Sequence, residues 1–428
     1  MNRPEKGLPF SEDTRLVIRR LSLLGVILLS GASGVTCWVV LKATTGFFFQ
    51  WVLLSIWLSG ATLFCALVWW MCREQAGGRS SRAAIVAGPL FFLLVMLGFY
   101  GAAQLVFWEL NRIKGAQSAR TGPHTNGETH TFDRVLGYAP KPNIKSGTRL
   151  TSDDNLIFDF TYHTDAYRRR IVPGQTDSAD HFDRALLFFG GSYAFGEGVS
   201  DEETLPSQVA AWYPDTHAYN YAFSGYGPSQ ILARLESYPV AEEVLESDVA
   251  AVYVFIPNHV RRVIGALSVI TWSRHAPYYR PSDDGSVYRA GSFQRDRPIR
   301  TWWYEFLHDD QVLQYFHADL PRTLRPEHFE LTAAIVGGAA REFERTFDSE
   351  EFYVVIFPAS PNDEFSGQKM VPYFEDVGLK VLDYSTLFES GSKNAYFLPY
   401  DPHPTARAYR ELAKALIQDP DFAPAKTP

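Results

Sequence analysis

The sequence predicts an α/β domain built on a parallel β-sheet and preceded by a three-helix transmembrane anchor. From residue 184 onward, short apolar runs alternate with helix-like stretches, and this alternation is typical of a parallel sheet covered by helices on both faces. Residues 21–108 contain three apolar runs that are each long enough to cross a bilayer. We therefore expect a tail at 1–20, an anchor at 21–108, a linker at 109–131, the α/β domain at 132–418 with a cover insertion at 261–326, and a tail at 419–428.

The predicted anchor consists of the apolar runs 21–41, 46–71 and 83–108, none of which contains a charged residue. The N-terminal tail and the second loop together hold eight Lys and Arg residues, whereas the first loop holds only Lys42. The positive-inside rule places the N-terminus in the cytoplasm and the α/β domain on the other side of the membrane. The predicted location is therefore a bacterial inner membrane with the domain in the periplasm. If one run were instead a buried soluble helix, the domain would face the cytoplasm.

Charge and cysteine content exclude several classes of function. The formal net charge is -8, with 9 Lys and Arg against 4 Asp and Glu in residues 1–108, and 31 against 44 in the remainder. A domain this acidic is a poor candidate for binding nucleic acid. Cys37, Cys65 and Cys72 all lie in the apolar N-terminal region, so the domain has no cysteine for a disulfide or a metal site. We expect no cofactor and no metal, and inner-membrane lipid is the expected surrounding of the anchor.

The predicted elements of the domain follow from the alternation of apolar and helix-like segments. The predicted strands are Ala185–Phe189, Ala218–Ala222, Val249–Ile256, Phe352–Phe357 and Lys380–Leu382. The predicted helices are Leu205–Trp212, Ser229–Tyr238, Phe329–Thr346 and Ala406–Ile417. Residues 261–326 interrupt this rhythm with a long aromatic segment, which predicts a cover over the sheet.

The first predicted strand runs into Gly190, Gly191 and Ser192. Small residues permit a tight turn from strand to helix, and ligands of parallel α/β sheets bind at that edge. A serine on such a turn is suited to act as a nucleophile. The alternatives are a plain turn with a structural serine, or a phosphate-binding loop. The second is disfavoured because no Lys-Ser/Thr pair follows and Glu197 would repel an anion.

Three further segments follow predicted strands or lie in the loops after them: Asn220-Tyr-Ala-Phe-Ser-Gly225-Tyr-Gly227, Phe255-Ile-Pro-Asn258-His259 and Tyr400-Asp401-Pro-His403-Pro404. With Gly190-Gly-Ser192, their order and spacing resemble the SGNH (GDSL-like) hydrolase superfamily. The resemblance covers roughly residues 180–418 and implies a flavodoxin-like, three-layer α/β fold. It is nearest to the exported branch that acts on O-acyl groups of bacterial polysaccharides.

The resemblance implies a role for each of these residues. Ser192 would be the nucleophile, His403 its general base, and Asp401 the residue that orients the imidazole. The oxyanion hole would combine the backbone N–H groups of Ser192 and Gly225 with the side-chain amide of Asn258. His259, Trp272 and Tyr226 are candidate substrate-binding residues. For His259, a polar neighbour and a second base both remain open.

The sequence departs from the family pattern in the third and fourth segments. Ile256 stands where the family usually has glycine, and His259 stands where it usually has aspartate. Asp401 is two residues before His403, whereas three is frequent in the family. The shorter spacing resembles the polysaccharide-modifying branch. These departures leave every catalytic role filled and put the substrate class in doubt.

The resulting expectation is a membrane-anchored serine esterase or O-acyltransferase that acts on acyl esters, most plausibly acetyl esters, of a polysaccharide. A transferase would need a separate membrane acyltransferase as its partner, which the resemblance also implies. The alternatives are a non-catalytic module of an envelope polysaccharide assembly complex and a lipase or lysophospholipase. Aromatic residues of the cover could stack on sugar rings or form a local core: Trp272, Tyr278, Tyr279, Trp302, Trp303 and Tyr304.

Overall fold

The computed structural model describes residues 82–116, 120–123, 129–152, 155–175, 182–360, 363–389, 393–398 and 401–422. The predicted tail at 1–20 and the predicted spans at 21–41 and 46–71 lie outside the described residues. The chain divides into two compact units. One comprises the residues up to Arg112 with Gln314–Phe316, and the other comprises Ile113–Leu313 and His317–Pro428.

The third predicted span, 83–108, lies within helix α1, which runs from Arg82 to Ala116. Among the residues whose side chains are described, no helix is both long enough and apolar enough to cross a membrane. The membrane anchor and the orientation derived from it therefore stay predictions.

Twelve strands are seen in the described part of the chain. They are β1 Arg120–Pro123, β2 His130–Asp133, β3 Gly137–Pro140, β4 Lys145–Ser152, β5 Asn155–His163, β6 Arg184–Gly190, β7 Thr216–Asn220, β8 Asp248–Phe255, β9 Pro277–Pro281, β10 Val287–Ser292, β11 Phe352–Ile356 and β12 Lys380–Asp383. After α1, the helices are α2 Ser192–Phe195, α3 Leu205–Ala210, α4 Pro228–Ser237, α5 Asn258–Ile264, α6 Ile270–Ser273, α7 Phe293–Asp296, α8 Pro298–His308, α9 Gln311–Tyr315, α10 Pro326–Phe347, α11 Val371–Asp376, α12 Lys393–Tyr396 and α13 Ala406–Gln418.

The predicted parallel sheet is present. Its five strands lie in the order β7-β6-β8-β11-β12, and every neighbouring pair is parallel. Counted along the chain this is the order 2-1-3-4-5, which is the flavodoxin-like order. The chain reverses direction across the sheet between β6 and β8, and α/β sheets bind ligands at the carboxyl ends of the strands at such a point. Ser192 follows β6 and Asn258 follows β8, so both lie at this switch point.

The helices separate into two groups that pack among themselves. Helix α3 packs against α13, whereas α10 packs against α4, α5 and α11. This separation is what right-handed crossovers produce in a sheet of this strand order. Strand β8 is buried from its second residue onward, as expected for a central strand with helices on both faces. The predicted α/β architecture is thus confirmed, and the strand predicted at Ala218–Ala222 lies two residues earlier, in β7.

Extended segments before β6 do not join the parallel sheet. Strands β2 and β3 form an antiparallel hairpin, and β1, β4 and β5 form a separate antiparallel sheet. An antiparallel bridge from Arg170 to Asn220 attaches this region to the end of β7. The segment is therefore tied to the sheet edge next to the nucleophile turn.

The cover insertion has more regular structure than its sequence predicts. It holds the hairpin β9–β10 and several short helices, and it has a small apolar cluster of its own, formed by Leu267, Ile270, Ala276, Phe293 and Tyr304. Tyr278 packs against the same cluster and Tyr279 is buried in the main core. Elements this short bury few residues each, so their periodicity is hard to recognise in the sequence.

Candidate active site

The candidate nucleophile lies where the first strand of the parallel sheet passes into a short helix. Strand β6 is buried after Arg184 and ends at Gly190. Helix α2 begins at Ser192 with Gly191 as its N-cap. This turn holds Ser192, which is 5% exposed, at the carboxyl edge of the sheet.

Glycine is required directly before the serine for a steric reason. A β-carbon at Gly191 would overlap the Arg262 guanidinium group and would lie 2.8 Å from the backbone carbonyl oxygen of Tyr226. Close approach of this kind is possible only for a residue without a side chain. The glycine at this position thus reflects the proximity of Arg262 to the nucleophile turn.

The imidazole of His403 is oriented by the carboxylate two residues before it. Asp401 Oδ1 accepts a hydrogen bond from His403 Nδ1 at 2.5 Å and another from the His403 backbone N–H at 2.8 Å. Because Nδ1 is the donor, Nε2 is the acceptor nitrogen of the neutral ring. This is the tautomer that a histidine general base needs.

The pair also perturbs the acidity of both groups. Burial lowers the pKa of His403, but the hydrogen bond to Asp401 and the charges of Glu197 and Asp401 outweigh burial and raise the net pKa above its ordinary value. Burial raises the pKa of Asp401, yet its bond to His403 and the imidazole charge leave that pKa below its ordinary value. Both shifts favour an imidazolium beside a carboxylate, the state that a base reaches after it has accepted a proton.

The loop that carries His403 is fixed beside the nucleophile turn by Tyr193. The Tyr193 hydroxyl donates to the Pro402 backbone carbonyl at 2.5 Å, and the ring centroids of Tyr193 and His403 are 5.6 Å apart. Tyr193 directly follows Ser192, so residues more than two hundred positions apart in the sequence are brought together here.

Ser192 and His403 line the same cavity, which has a volume of about 800 Å³. Gly225, Arg262 and Trp272 also line it. Within the described residues, no hydrogen bond joins the Ser192 hydroxyl to the imidazole. Catalytic hydrogen bonds of this kind are often long before a substrate binds and tighten in its presence.

Two backbone donors are available for an oxyanion. Among the described residues, the N–H groups of Ser192 and Gly225 have no hydrogen-bond acceptor. Gly225 has a φ of 81°, and a β-carbon there would overlap the hydroxyl of Tyr138. The Tyr138 hydroxyl donates to the Ser224 carbonyl at 2.8 Å, which fixes the peptide whose N–H belongs to Gly225. Both donors thus lie on rigid, crowded turns at the cavity.

The structure does not bring Asn258 to the cavity wall. Its side chain is exposed at the start of α5, and its Oδ1 accepts a hydrogen bond from Arg262 Nε at 2.9 Å. Arg262 lies one helical turn later on the same face and lines the cavity instead. The third oxyanion donor therefore stays a prediction.

The three candidate substrate-binding residues have different positions. Trp272 is 39% exposed and lines the cavity. Tyr226 is buried, and its hydroxyl donates to the Tyr138 carbonyl at 2.7 Å. His259 is fully buried, with Nδ1 2.6 Å from the Tyr253 hydroxyl. Burial holds the pKa of His259 well below its ordinary value, so it is a neutral histidine packed behind the site.

Of the remaining cover aromatics, Trp302 and Trp303 do not line this cavity. They lie on α8, are largely exposed, and stack with Phe306. Tyr304 is buried in the small cluster of the insertion. Contact with a substrate in this cavity is therefore open to Trp272 but not to these three residues.

Glu197 is a site residue that the sequence reasoning assigned no role. It lines the cavity, accepts a hydrogen bond from the Ser224 hydroxyl, and has Oε2 4.0 Å from His403 Nε2. A carboxylate at this distance stabilises the protonated imidazole. The sequence signal that identifies Glu197 is its position, five residues after Ser192 on the turn that builds the site.

Arg170 is a second residue that sequence reasoning missed. Its Nε donates to Asp201 Oδ1 at 2.7 Å, and its terminal nitrogens donate to the backbone carbonyls of Phe195, Gly196 and Val199. Arg170 is 1% exposed. It therefore fixes the loop that follows the nucleophile helix, including the position of Glu197.

No group of three or more His, Cys, Asp or Glu side chains that could hold a metal is found among the described residues. The site brings together a hydroxyl, an imidazole–carboxylate pair and backbone N–H donors. These are the groups used in nucleophilic acyl transfer.

No family model and no curated protein matches this chain. A member of the lipolytic protein G-D-S-L family from Veillonella parvula DSM 2008 is similar in structure, with 14% identity, coverage of 55% of this chain and 97% of that chain, and a TM-score of 0.33. A variant of Axe2, an acetyl xylan esterase from Geobacillus stearothermophilus, has 14% identity, coverage of 58% of this chain and 98% of that chain, and a TM-score of 0.33.

A third similar structure is LAE5, an alpha/beta hydrolase enzyme from the metagenome of Lake Arreo, Spain. It has 13% identity, coverage of 58% of this chain and 99% of that chain, and a TM-score of 0.33. These three similar structures are thus a lipolytic protein, an acetyl xylan esterase and an alpha/beta hydrolase. At these identities and TM-scores the likeness does not decide an activity, so the case for one depends on the side chains of the site.

Proposed function

We propose that this protein is a serine esterase or acyltransferase in which Ser192, His403 and Asp401 form the catalytic triad. The observation that carries the proposal is the arrangement of His403. Its Nδ1 is bound to Asp401, while the imidazole and the Ser192 hydroxyl line one cavity. An imidazole held in this way is ready to accept a proton at Nε2.

The reaction would proceed in two acyl-transfer steps. His403 Nε2 accepts the Ser192 proton as Oγ attacks the ester carbonyl carbon, and the N–H groups of Ser192 and Gly225 bind the oxyanion that forms. Collapse of this intermediate breaks the bond to the alcohol, which takes the proton from the imidazolium. An acceptor hydroxyl, from water or from a sugar, then releases the acyl group by the reverse sequence.

We infer further that the substrate is an O-acyl ester of a polysaccharide, with acetate as the acyl group. The ester is hydrolysed, or its acyl group is transferred, outside the cytoplasm. The four motif segments and the apolar N-terminal runs of the sequence support it. Trp272 supports it as well, because an exposed indole in the cavity offers a flat face for a sugar ring. A transferase would receive its acyl group from a membrane acyltransferase partner.

Hydrolysis of p-nitrophenyl acetate by the full chain in detergent or in vesicles tests the general activity. We expect turnover in the wild type and none above background in Ser192→Ala. Equal rates in the two proteins would rule out the triad. Comparison of acetyl with long-chain acyl esters separates the glycan esterase from a lipase, since a marked preference for long chains contradicts an acetyl substrate.

Alkaline phosphatase fused after Pro428 tests the location. An active fusion supports export of the domain, and an inactive fusion contradicts it. This experiment is independent of the catalytic assignment.

A further inference from the structure

The charge of the cavity differs from that of the domain around it. Residues 109–428 hold 31 Lys and Arg against 44 Asp and Glu. Among the described residues that line the cavity, however, two are arginines, Arg262 and Arg274, and one is acidic, Glu197. Because Arg274 is paired with Glu305, Arg262 is the lining arginine whose charge can attract an anion.

Arg262 forms no salt bridge in the described part of the chain. Its Nε donates to Asn258 Oδ1 at 2.9 Å and its Nη1 to the Tyr226 carbonyl at 2.6 Å, both of which are neutral acceptors. No hydrogen bond of Nη2 is found among the described residues. The guanidinium remains charged, and the charge of Glu197 acts on it without a hydrogen bond between the two side chains. By contrast, Arg274 forms an ion pair, because its Nη1 lies 3.1 Å from Glu305 Oε1.

Arg262 is one of the residues that line the cavity containing Ser192. Arg262 lies against Gly191, the residue before Ser192, and its guanidinium carbon is 5.7 Å from the Trp272 ring centroid. Glu197 is bound to Ser224 and lies beside His403. An anionic substrate would therefore be attracted to Arg262 and repelled by Glu197, which favours one orientation in the cavity.

From these contacts we propose that the substrate carries an anionic group, a carboxylate or a phosphate, close to its acyl ester, and that Arg262 binds this group. The proposal rests on the proposed function and narrows it to acyl esters of acidic sugars or sugar phosphates. Arginine is suited to this task because its planar group donates two parallel hydrogen bonds to a carboxylate or phosphate.

The test compares two acetyl esters that differ only in charge: methyl glucoside and methyl glucuronoside, each acetylated at the same hydroxyl. For the wild type, we expect kcat/KM to be about 10- to 100-fold higher for the anionic ester, the range of a charge-assisted hydrogen bond. In Arg262→Gln the ratio of the two values falls to about one, and in Arg262→Lys a part of the preference is retained. The control Arg274→Gln keeps the wild-type ratio, because Arg274 is already paired.

Inhibition of the wild type gives a test that needs no variant, in case Arg262→Gln does not fold. With p-nitrophenyl acetate as substrate, we expect glucuronate or glucose phosphate to compete at concentrations at least about tenfold lower than glucose. The two anions distinguish a carboxylate from a phosphate. Equal inhibition by all three compounds, or an anionic preference that survives Arg262→Gln, overturns the proposal. Turnover of p-nitrophenyl acetate that depends on Ser192 shows in that case that the esterase assignment itself stands.

Discussion

Two arginines flank the turn that carries Ser192, and their environments differ. Arg170, on the side of the loop after the helix, is buried and directs its nitrogens to a carboxylate and three backbone carbonyls. Arg262, on the side of Gly191, is partly buried and has only neutral acceptors among the described residues. The first arrangement stabilises a loop, whereas the second leaves a charge available to a ligand. Substitutions on the Arg170 side of the turn should therefore change the stability of the fold. Substitutions on the Arg262 side should change catalysis.

The largest expected effect is on the cavity side. Ser192→Ala should lower kcat by roughly 10⁴- to 10⁶-fold, because no other hydroxyl replaces the nucleophile. Its melting temperature should remain close to that of the wild type, since the hydroxyl makes no hydrogen bond among the described residues. Ester hydrolysis and calorimetry on the same preparation measure both quantities. Ser224→Ala is the matched control on the same cavity, and a comparable loss there would show that the effect is not specific to Ser192.

On the other side, Arg170→Met should act on stability. Removal of Arg170 takes away one partner of a buried ion pair and leaves Asp201 with its contacts to His163, at 2.7 Å from Nδ1 and 3.1 Å from the backbone nitrogen. We expect a loss of about 3–5 kcal/mol in the free energy of unfolding. Urea denaturation measures it. Arg168→Met is the control, because Arg168 is more exposed, with a 3.3 Å contact to Asp133, and should change stability by less than about 1 kcal/mol.

The double variant Arg170→Met/Asp201→Asn shows which interaction accounts for the loss of stability. If the cost arises from an unpaired buried carboxylate, the double variant should be more stable than Arg170→Met alone. A further loss in the double variant would instead mean that each residue stabilises the fold independently.

A smaller effect is expected from Gly225→Ala. The residue has a φ of 81° and its added methyl group would overlap the Tyr138 hydroxyl, so the peptide has to rotate or shift. Displacement of one oxyanion donor should lower kcat by about 10²- to 10³-fold with little change in KM. Relief of the overlap in Gly225→Ala/Tyr138→Phe should restore only a part of the activity. Wild-type kcat in the single variant would remove Gly225 from the oxyanion hole.

The smallest expected effect is a change in pH dependence. Activity requires a neutral imidazole, so kcat/KM rises with pH through the pKa of His403. Because the charge of Glu197 contributes to raising that pKa, Glu197→Gln should move the rise to lower pH. A pH profile of kcat/KM measures the shift. A shift to higher pH would mean that Glu197 does not act through its charge on the imidazole.

The sequence predicts much of the fold because its information is local there. The buried run Ala185–Phe189, bounded by Arg184 and a glycine pair, marks β6 to within one residue at each end. Three of the four motif segments also supply residues that line the cavity, namely Ser192, Gly225 and His403. Arg170, Glu197 and Arg262 were not assigned roles, because their roles depend on contacts between segments far apart in the chain. Asn258 and Arg262 are four residues apart and therefore share a face of α5, but no helix is predicted there from the sequence.

For Asn258 and His259, by contrast, the position of the residue in the motif does not predict where its side chain lies. Asn258 follows β8 as the motif predicts, yet its side chain is exposed and bound to Arg262. His259 is packed against Tyr253 inside the core. Rotation about a helix axis by one residue changes the direction of a side chain by about 100°, and a sequence motif does not fix that rotation.

The central claim is that His403 activates Ser192 as a nucleophile. A fluorophosphonate probe, which forms a bond to an activated serine Oγ with loss of fluoride, tests it directly when the labelled peptide is identified by mass spectrometry. We expect one adduct, on the peptide that contains Ser192. In His403→Ala the rate of labelling should fall by at least about 10³-fold. Labelling at another residue, or at the same rate without the imidazole, would contradict it.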